Sequence, residues 1–425
     1  ENDGLRMRSY KDLDTGRVRS HNYNGEFAFK EGFSWTYISS GSFAVRYVGG
    51  ECLFNSKGPM GFNNSSEFTN EYAVATLNSK VSAHILKMLA PTLDFKLGQV
   101  LSIPVAKCND TININSQSLI CISKNDWNSK EISMGFKSDF LTNNISNATT
   151  IQCQYNKLRS YWFNATQEMQ RLEEENNRVF IEAYGLQDEL TPEVPLSEIT
   201  LTCNPHYRYG SNLTDEEREA RLQSDTIAEL VSYAIGCMMG RYSLDREGLV
   251  YAHAGNVGFN DLVAEGAYQR FAADGDGILP LTSEHWFEDD IAARIEEFVR
   301  TVWGADTLEE NLQFIADSLC LYAIKPPKKG GETSRETIRR YLSTQFFKDH
   351  LKTYKKRPIY WLFSSGKEKA FECLVYLHRY NEATLPRMRT EYVTPLLGQM
   401  ASRIERLRLQ QADASTAEAK RLDKQ

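Results

Sequence analysis

The clearest hydrophobic pattern in the chain is a seam whose apolar positions recur at alternating spacings of four and three residues. This spacing places the seam on one face of a helix, which predicts a long amphipathic helix over residues 155–190. With only about four heptads, an intramolecular spacer helix is favoured over an interchain coiled coil. The seam comprises Leu158, Trp162, Ala165, Met169, Leu172, Asn176, Val179, Ala183 and Leu186.

Upstream of this seam, the pattern changes to short β-type segments. Aromatic and β-branched residues cluster in Phe33–Ile38 and Phe43–Val48, which predicts two strands joined by a Ser/Gly turn. A helix is predicted from Glu71 to Ala90, where Pro91 stops it, and a short strand is predicted over Phe95–Val105. Residues 109–154 are polar with weak periodicity, so they predict a loop-rich insert.

Downstream of the seam, helical signals dominate. Thr214 followed by Glu217 forms a capping box, which predicts a helix from Asp215 to Gly240. A further helix is predicted from Phe287 to Val302. Pro358 opens a predicted strand over Ile359–Phe363.

A basic helix is predicted over Ser334–Lys352, with Ser334 as its N-cap. The last segment, from residue 396 onward, has Leu397, Met400, Ile404 and Leu407 on one face and predicts a helical arm. These elements predict a helix-rich α+β protein. The expected mixed α/β domain lies at 20–154, the mainly helical domain with short strands at 191–395 and the arm at 396–425.

Charge adds a second signal, because the chain carries a net charge of −7 and yet contains a strongly basic segment. Between Lys325 and Arg357, eleven Lys or Arg residues face three acids, a local charge of +8. Such a cluster suits a nucleic-acid backbone, although a solvated helix face is the alternative. No apolar run approaches the ~18 residues of a membrane span, and eight scattered cysteines form no zinc pattern.

Several long strings in this chain resemble the C-terminal part of the PglX family, the adenine-specific DNA methyltransferases of BREX phage-defence systems. The resemblance covers most of the chain and is poorest over 109–154, as expected of an insert that varies with target sequence. The matching strings are Asn78–Val105, Arg171–Glu193, Thr200–Gly210, Ser232–Asp245, Thr337–Leu351 and Lys352–Tyr380.

The resemblance implies that 20–154 is a DNA target-recognition domain and that 1–19 links it to an N-terminal methyltransferase domain. That missing domain would bind S-adenosylmethionine and flip adenine, so this fragment is expected to be inactive alone and to bind no cofactor. Methylation would mark host DNA as self in a bacterial cytoplasm. Expected partners are double-stranded DNA and the missing domain, with other BREX subunits or a phage DNA-mimic inhibitor as further candidates, and no membrane.

Two motifs resemble chemical sites, but each is better explained as a turn. Asn204-Pro205-His206-Tyr207 differs from the Asn-Pro-Pro-Tyr motif of amino-methyltransferases at the second proline. Asp274-Gly275-Asp276-Gly277 lacks the third oxygen ligand and the glutamate of a calcium loop. We therefore expect no catalytic residue and no metal ligand in this fragment.

Two sets of residues are the candidates for DNA contact. Short polar and basic side chains at the β turn are the types that read base edges, and basic residues with the Ser364–Lys367 turn would contact phosphates. The readout set is Tyr37, Ser40, Ser42 and Arg46. The backbone set is Lys328, Lys329, Arg339, Arg340, Lys352, Lys355, Lys356, Arg357 and Lys367.

The alternative function is a non-enzymatic interaction module. In that case, the 158–186 seam and the terminal arm would bind another defence subunit, and the basic cluster would bind an acidic protein or RNA. Binding through several phosphates weakens steeply with salt, whereas an apolar helix seam hardly responds. A salt titration therefore discriminates between the two functions.

Overall fold

The computed structural model describes residues 5–18, 24–143, 150–252, 257–282, 284–327 and 331–413. The chain divides into two compact units. The N-terminal unit contains Glu1–Asp126 and Trp162–Gly210, and the C-terminal unit contains Trp127–Tyr161 and Ser211–Gln425. The helix-rich α+β class that the pattern predicts is confirmed. Among the described residues, none of the helices has the length and apolar character that a bilayer crossing requires.

The N-terminal unit contains a small antiparallel sheet of three strands, β1 (Gly32–Trp35), β2 (Val45–Val48) and β3 (Met60–Gly61), in the order β2-β1-β3. Alternation along the strands sends one set of side chains into the core and the other set outward. The inward set contains Phe33, Trp35, Val45 and Tyr47. On the outward face, Ser34 of β1 is in register with Arg46 of β2 and Met60 of β3.

Among the described residues up to 210, seven α-helices are present, one before this sheet in the chain and six after it. They are α1 (Leu5–Ser9), α2 (Asn70–Asn78), α3 (Lys80–Leu89), α4 (Leu97–Leu101), α5 (Thr111–Asn128), α6 (Ile151–Ala183) and α7 (Pro205–Tyr209). The start of the sixth helix, residues 151–161, belongs to the C-terminal unit. The 33 residues of α6 confirm the long amphipathic helix that the seam predicts.

The helix predicted over Glu71–Ala90 is divided into α2 and α3 at Ser79. Ser79 has an extended backbone, and its hydroxyl accepts a hydrogen bond from the Ser82 N–H, so it ends one helix and caps the next. The neighbouring Asn78 side chain bonds both the N–H (2.8 Å) and the C=O (2.9 Å) of Val45. The break therefore frees Asn78 to hold the edge strand β2.

Two predictions for this unit are wrong. Phe95–Val105 contains the short helix α4 where a strand was expected; the Gln99 side chain accepts the Lys96 N–H at its start. The polar region after residue 109 begins with the 18-residue helix α5. Its buried positions include Asn115, whose side chain donates a hydrogen bond to Asn176 of α6. Because polar residues occupy part of its buried face, the helical spacing of apolar residues is not visible in the sequence.

The C-terminal unit has a second three-stranded antiparallel sheet, in the order β4-β6-β5, with helices on both faces. Its largest core includes Ile235 and Leu319, which are fully buried. The strands are β4 (Ile278–Pro280), β5 (Tyr360–Ser364) and β6 (Glu372–Tyr376). The helices are α8 (Asp215–Met238), α9 (Phe259–Ala264), α10 (Ile291–Trp303), α11 (Leu308–Leu321), α12 (Ser334–Tyr341), α13 (Phe347–Thr353), α14 (Thr384–Arg387) and α15 (Thr394–Asp413).

Helix starts in this unit follow their capping signals closely. The Thr214–Glu217 capping box of α8 is confirmed. Helix α12 begins with a second capping box, in which Thr333, and not the expected Ser334, is the N-cap and Glu336 returns the bond. The predicted continuous helix Ser334–Lys352 contains a π-helical segment, Leu342–Phe346, between α12 and α13.

Candidate nucleic-acid interface

The strongest candidate interface is Lys352–Arg357, which contains the end of α13 and the turn that follows it and which we call the basic turn. The Lys356 N–H bonds the Leu351 C=O at 2.7 Å, and the Arg357 N–H bonds the Tyr354 C=O at 2.9 Å. These bonds close the end of α13 and reverse the chain toward β5.

Lys355 and Lys356 both adopt left-handed backbone conformations, with φ of 50° and 64°. Such conformations cost a residue with a side chain on the order of 1–3 kcal/mol and persist only where the surrounding structure holds them. Glycine would fit both positions without this cost. Two successive lysines at these positions therefore point to a role for their charge.

A buried histidine holds the basic turn in place. His350, with 3% of its surface exposed, accepts the N–H groups of Ile359 (3.1 Å) and Tyr360 (3.2 Å) on Nε2. Burial, reinforced by the charge of Arg241, lowers the pKa of His350 to about 4, so the ring is neutral near pH 7. A neutral Nε2 acceptor thus ties α13 to the start of β5.

Among the described residues, the cations of the basic turn form no ion pair, although the charge of Lys352 acts on the nearby Asp349 and opposes the rise in pKa that burial causes there. Lys352, Lys355, Lys356 and Arg357 are all exposed, and none forms an ion pair or a side-chain hydrogen bond within the part of the chain that the structure describes. Lys348, one helical turn before Lys352, is likewise exposed and unpaired there. The i, i+4 spacing of Lys348 and Lys352 places both on one face of α13, a signal that sequence reasoning missed.

Helix α12 treats its charges differently. Arg339 makes a bidentate pair with Asp290, 2.7 Å for each bond, and Asp290 is completely buried. Arg340 pairs with Glu332 at 2.9 Å. These two guanidinium groups are therefore engaged inside the unit, and a phosphate contact through this region depends on the basic turn.

Arg335, the third arginine of α12, also has carboxylate partners. It bonds Glu296 at 2.6 Å and Glu309 at 2.6 Å. These hydrogen bonds lower the pKa values of both glutamates. The charge of α12 is thus balanced by its neighbours, although the sequence gives the whole basic segment a large positive total.

The remaining predicted phosphate contacts do not join the basic turn. Lys328 and Lys329 lie outside the described residues. Lys367 is exposed in the turn between β5 and β6, at the far end of β5 from the basic turn. Five strand residues span roughly 16 Å, so the structure does not bring Lys367 to the same spot.

The readout candidates lie in the N-terminal unit. Arg46 projects from the outward face of β2, exposed and with no partner among the described residues. Ser40 and Ser42 are exposed in the loop that precedes β2. Tyr37 is half-buried, and the Lys57 Nζ lies 5.1 Å from its ring centroid. Arg46 is therefore the candidate with a long cationic side chain free to reach a base edge.

The two motifs that resemble chemical sites have structural roles. Asn204 is buried and caps α7; its amide donates to the C=O of Leu196 (2.7 Å) and Ile199 (2.8 Å), and its oxygen accepts the His206 N–H. Its amide hydrogens and its oxygen are thus engaged within the unit. Among the described residues, no group of three His, Cys, Asp or Glu side chains could hold a metal ion.

The Asp274–Gly277 turn is closed by its own backbone. The Asp274 carboxylate accepts the Asp276 N–H at 3.0 Å, and Arg379 donates to the Asp274 C=O at 2.6 Å. Burial, followed by the charge of Asp276, raises the pKa of Asp274 to about 7. The turn therefore connects the chain just before β4 to Arg379, and its role is structural.

Comparison with known proteins supplies a relationship for the whole chain. No family model matches it. It is 49% identical over 426 residues to the adenine-specific methyltransferase BrxX of Escherichia coli O9:H4 (strain HS), a match that covers 100% of this chain and 34% of that protein. It is 41% identical over 403 residues to the adenine-specific methyltransferase PglX of Lacticaseibacillus casei (strain Zhang), covering 93% of this chain and 31% of that protein. The chain spans about a third of the length of these relatives.

Proposed function

Because the chain is homologous to a segment of the PglX family of adenine-specific methyltransferases, we propose that it supplies the DNA-recognition part of such an enzyme. In this proposal, the N-terminal unit reads the target sequence, and the C-terminal unit grips the DNA backbone. The methyl-donor site for S-adenosylmethionine and the pocket for the flipped adenine belong to another domain of the full protein. The chain alone therefore binds DNA without methylating it.

The observation that carries the proposal is the set of unpaired cations at the basic turn. Lysine and arginine side chains that have no carboxylate partner can neutralise phosphates without first breaking an internal ion pair. Lys355 and Lys356 also keep a backbone conformation that costs free energy. Binding of a phosphate backbone explains both the unpaired charges and the strained backbone, because the phosphates would bind the two lysines that the strained positions expose.

For target readout we propose the outward face of β2 and the loop before it. Arg46 can make a bidentate contact with guanine, the commonest specific pairing of an arginine with a base. In the full enzyme, Arg46→Ala would then relax the methylated motif at one base pair and leave methyl-donor affinity unchanged. An unaltered motif would place readout elsewhere in the chain.

The biological setting also belongs to this proposal. Methylation by the full protein would mark host DNA as self during BREX defence in the bacterial cytoplasm. An acidic phage protein that mimics DNA would compete for the basic turn. Simultaneous binding of the mimic and duplex DNA would argue against a shared surface.

The decisive experiment is a salt titration of duplex binding by the chain and by a variant with Lys352, Lys355, Lys356 and Arg357 changed to Ala. Each lost phosphate contact reduces the slope of log K against log salt by about 0.9, so the variant slope should be flatter by about three to four. Affinity should fall nearly equally on all sequences. A matched control changes Lys107 and Arg171 to Ala, two cations that Glu67 and Glu168 already neutralise. Equal slopes for wild type and variant would remove the basic turn from the interface.

A second candidate function, an interaction module for another defence subunit, is supported by α15. Leu397 (63% exposed) and Ile404 (52%) leave part of its apolar face in solvent, which is typical of a helix that packs on a partner. Association through this face would respond little to salt. A chain that shows no salt-dependent DNA binding and still captures a purified BREX subunit would favour this function.

A further inference from the structure

An exposed aromatic pair includes Trp361, which lies close in the chain to the basic turn. Trp361 of β5 and Tyr380 each leave 39% of their surface in solvent. Their ring centroids are 5.8 Å apart and the ring planes are inclined by 49°. Two large aromatic rings in contact and yet half exposed form an apolar surface whose remaining area is available to a ligand.

The sheet explains why this pair is uncovered. On the same face of the sheet as Trp361, Cys373 and Val375 of β6 are buried under Tyr392 and Leu396. Trp361 lies at the end of β5 nearest the basic turn and does not belong to this buried cluster. Val375 is the cross-strand partner of Trp361. The helices therefore cover β6 and leave Trp361, on the edge strand β5, open to solvent.

The backbone around the aromatic pair is firmly held. The Tyr380 N–H bonds the C=O of Tyr376 (3.1 Å) and Leu377 (3.3 Å), and the Leu377 N–H bonds the Ile359 C=O at 2.9 Å. The side chain of the adjacent Arg379 donates to the Asp274 and Gly275 carbonyls. A ligand that stacks on these rings would lose little affinity to ordering of the protein.

The spacing between cations and rings suits a nucleic-acid strand. Trp361 follows Arg357 by four positions, which is at most about 13 Å of chain. A segment of at most about four nucleotides, counted at the 3.4 Å rise of a stacked strand, therefore reaches from the cations to the rings. Cations that track the backbone beside aromatic rings that stack bases are the combination found in proteins that bind single strands.

We propose that the Trp361–Tyr380 pair and the basic turn together bind unpaired nucleotides of DNA, with a base stacked on the exposed rings. This inference depends on the proposed DNA-binding role of the basic turn and adds a preference for unstacked DNA. A duplex presents phosphates to the basic turn but hides the faces of its bases. An opened or single-stranded segment presents both, and stacking tolerates any base because every base has a π face.

The test compares two probes, a twelve-nucleotide oligothymidine with a central 2-aminopurine and the corresponding duplex. The variant carries Trp361→Leu and Tyr380→Leu, and the matched control carries Trp127→Leu, another exposed tryptophan. Affinity of the variant for the single strand should fall about tenfold, the effect of losing one stacked base. Duplex affinity should stay unchanged, and the fluorescence quenching of 2-aminopurine should be lost. The control should match wild type.

Two further variants keep the test decisive if the double variant folds poorly. Tyr380→Leu alone changes a half-exposed ring and should lose part of the single-strand affinity, whereas Trp361→Phe retains a stacking surface and should keep most of it. A wild-type chain that binds duplex but not the single strand would overturn this inference and leave the proposed function intact. The inference would also be overturned, with the proposed function intact, if the variants lost single-strand and duplex affinity equally or lost neither. Failure of both DNA forms to bind wild type would overturn both proposals.

Discussion

Helix α12 and the basic turn are neighbouring cationic segments of one unit, yet they use their charge in opposite ways. The arginines of α12 face carboxylates, one of them the fully buried Asp290. The cations of the basic turn face solvent and form no ion pair or side-chain hydrogen bond among the described residues. Local charge density therefore overstates the surface available to DNA, because only the unpaired part of it can neutralise phosphate.

The largest expected effect comes from removing a paired arginine of α12, and it is an effect on the free energy of unfolding. Arg339→Ala leaves Asp290 buried without its counter-charge, which should cost about 3–5 kcal/mol of the free energy of unfolding. Urea unfolding measures the loss, and Arg339→Lys should recover part of it. If the variant is as stable as wild type, the Arg339–Asp290 pair contributes nothing to the stability of the unit.

A smaller effect concerns the support of the basic turn by His350. Its pKa is lowered to about 4 in the folded chain, so the contribution of the neutral ring is fully present above its unfolded pKa of about 6.5 and is lost as pH falls toward 4. Between pH 7.5 and pH 5 this loss should be on the order of 2 kcal/mol.

The measurement for His350 is urea unfolding at both pH values for wild type and His350→Asn. Asp274, whose raised pKa of about 7 changes stability in the opposite direction, is common to both proteins. The difference between them therefore isolates the histidine. Parallel pH profiles would mean that the ring titrates equally in the folded and unfolded chains.

The backbone of the basic turn offers a test in which stability and binding move in opposite directions. Lys355→Gly and Lys356→Gly remove two charges and relieve two left-handed side-chain conformations. The free energy of unfolding should rise by roughly 1 kcal/mol, while duplex affinity and its salt slope fall. A variant that is both more stable and equally tight in DNA binding would show that charge does not explain these lysines.

The smallest expected effect is at Arg335. Its partners Glu296 and Glu309 lie at or near the surface, and exposed pairs contribute little to stability. Arg335→Ala should change neither urea unfolding nor duplex affinity measurably, although it removes a charge from the same basic segment. A fall of the salt slope by about 0.9, the effect of one lost phosphate contact, would extend the interface onto α12.

The sequence predicts the local elements better than it predicts the site. The seam predicts α6 and the Thr214–Glu217 capping box predicts α8, because the residues of each signal are near neighbours in the chain. Helix α5 escaped prediction because buried polar residues such as Asn115 interrupt its apolar pattern. The division of the basic segment into paired and unpaired cations could not be predicted, because Asp290, which pairs with Arg339, lies 49 positions away in the chain. Nothing in the sequence predicts the positive φ angles of Lys355 and Lys356, apart from the presence of Pro358 two positions later.

The unpaired lysines of the basic turn also make it a distinctive target for chemistry. Amine-reactive reagents modify solvated ammonium groups faster than groups held in ion pairs. Lys352, Lys355 and Lys356 should therefore be labelled ahead of Lys130, which lies largely buried against Glu229. Bound DNA would protect the first set alone. A labelling map would thus show, for each lysine, whether its positive charge is available to bind a ligand.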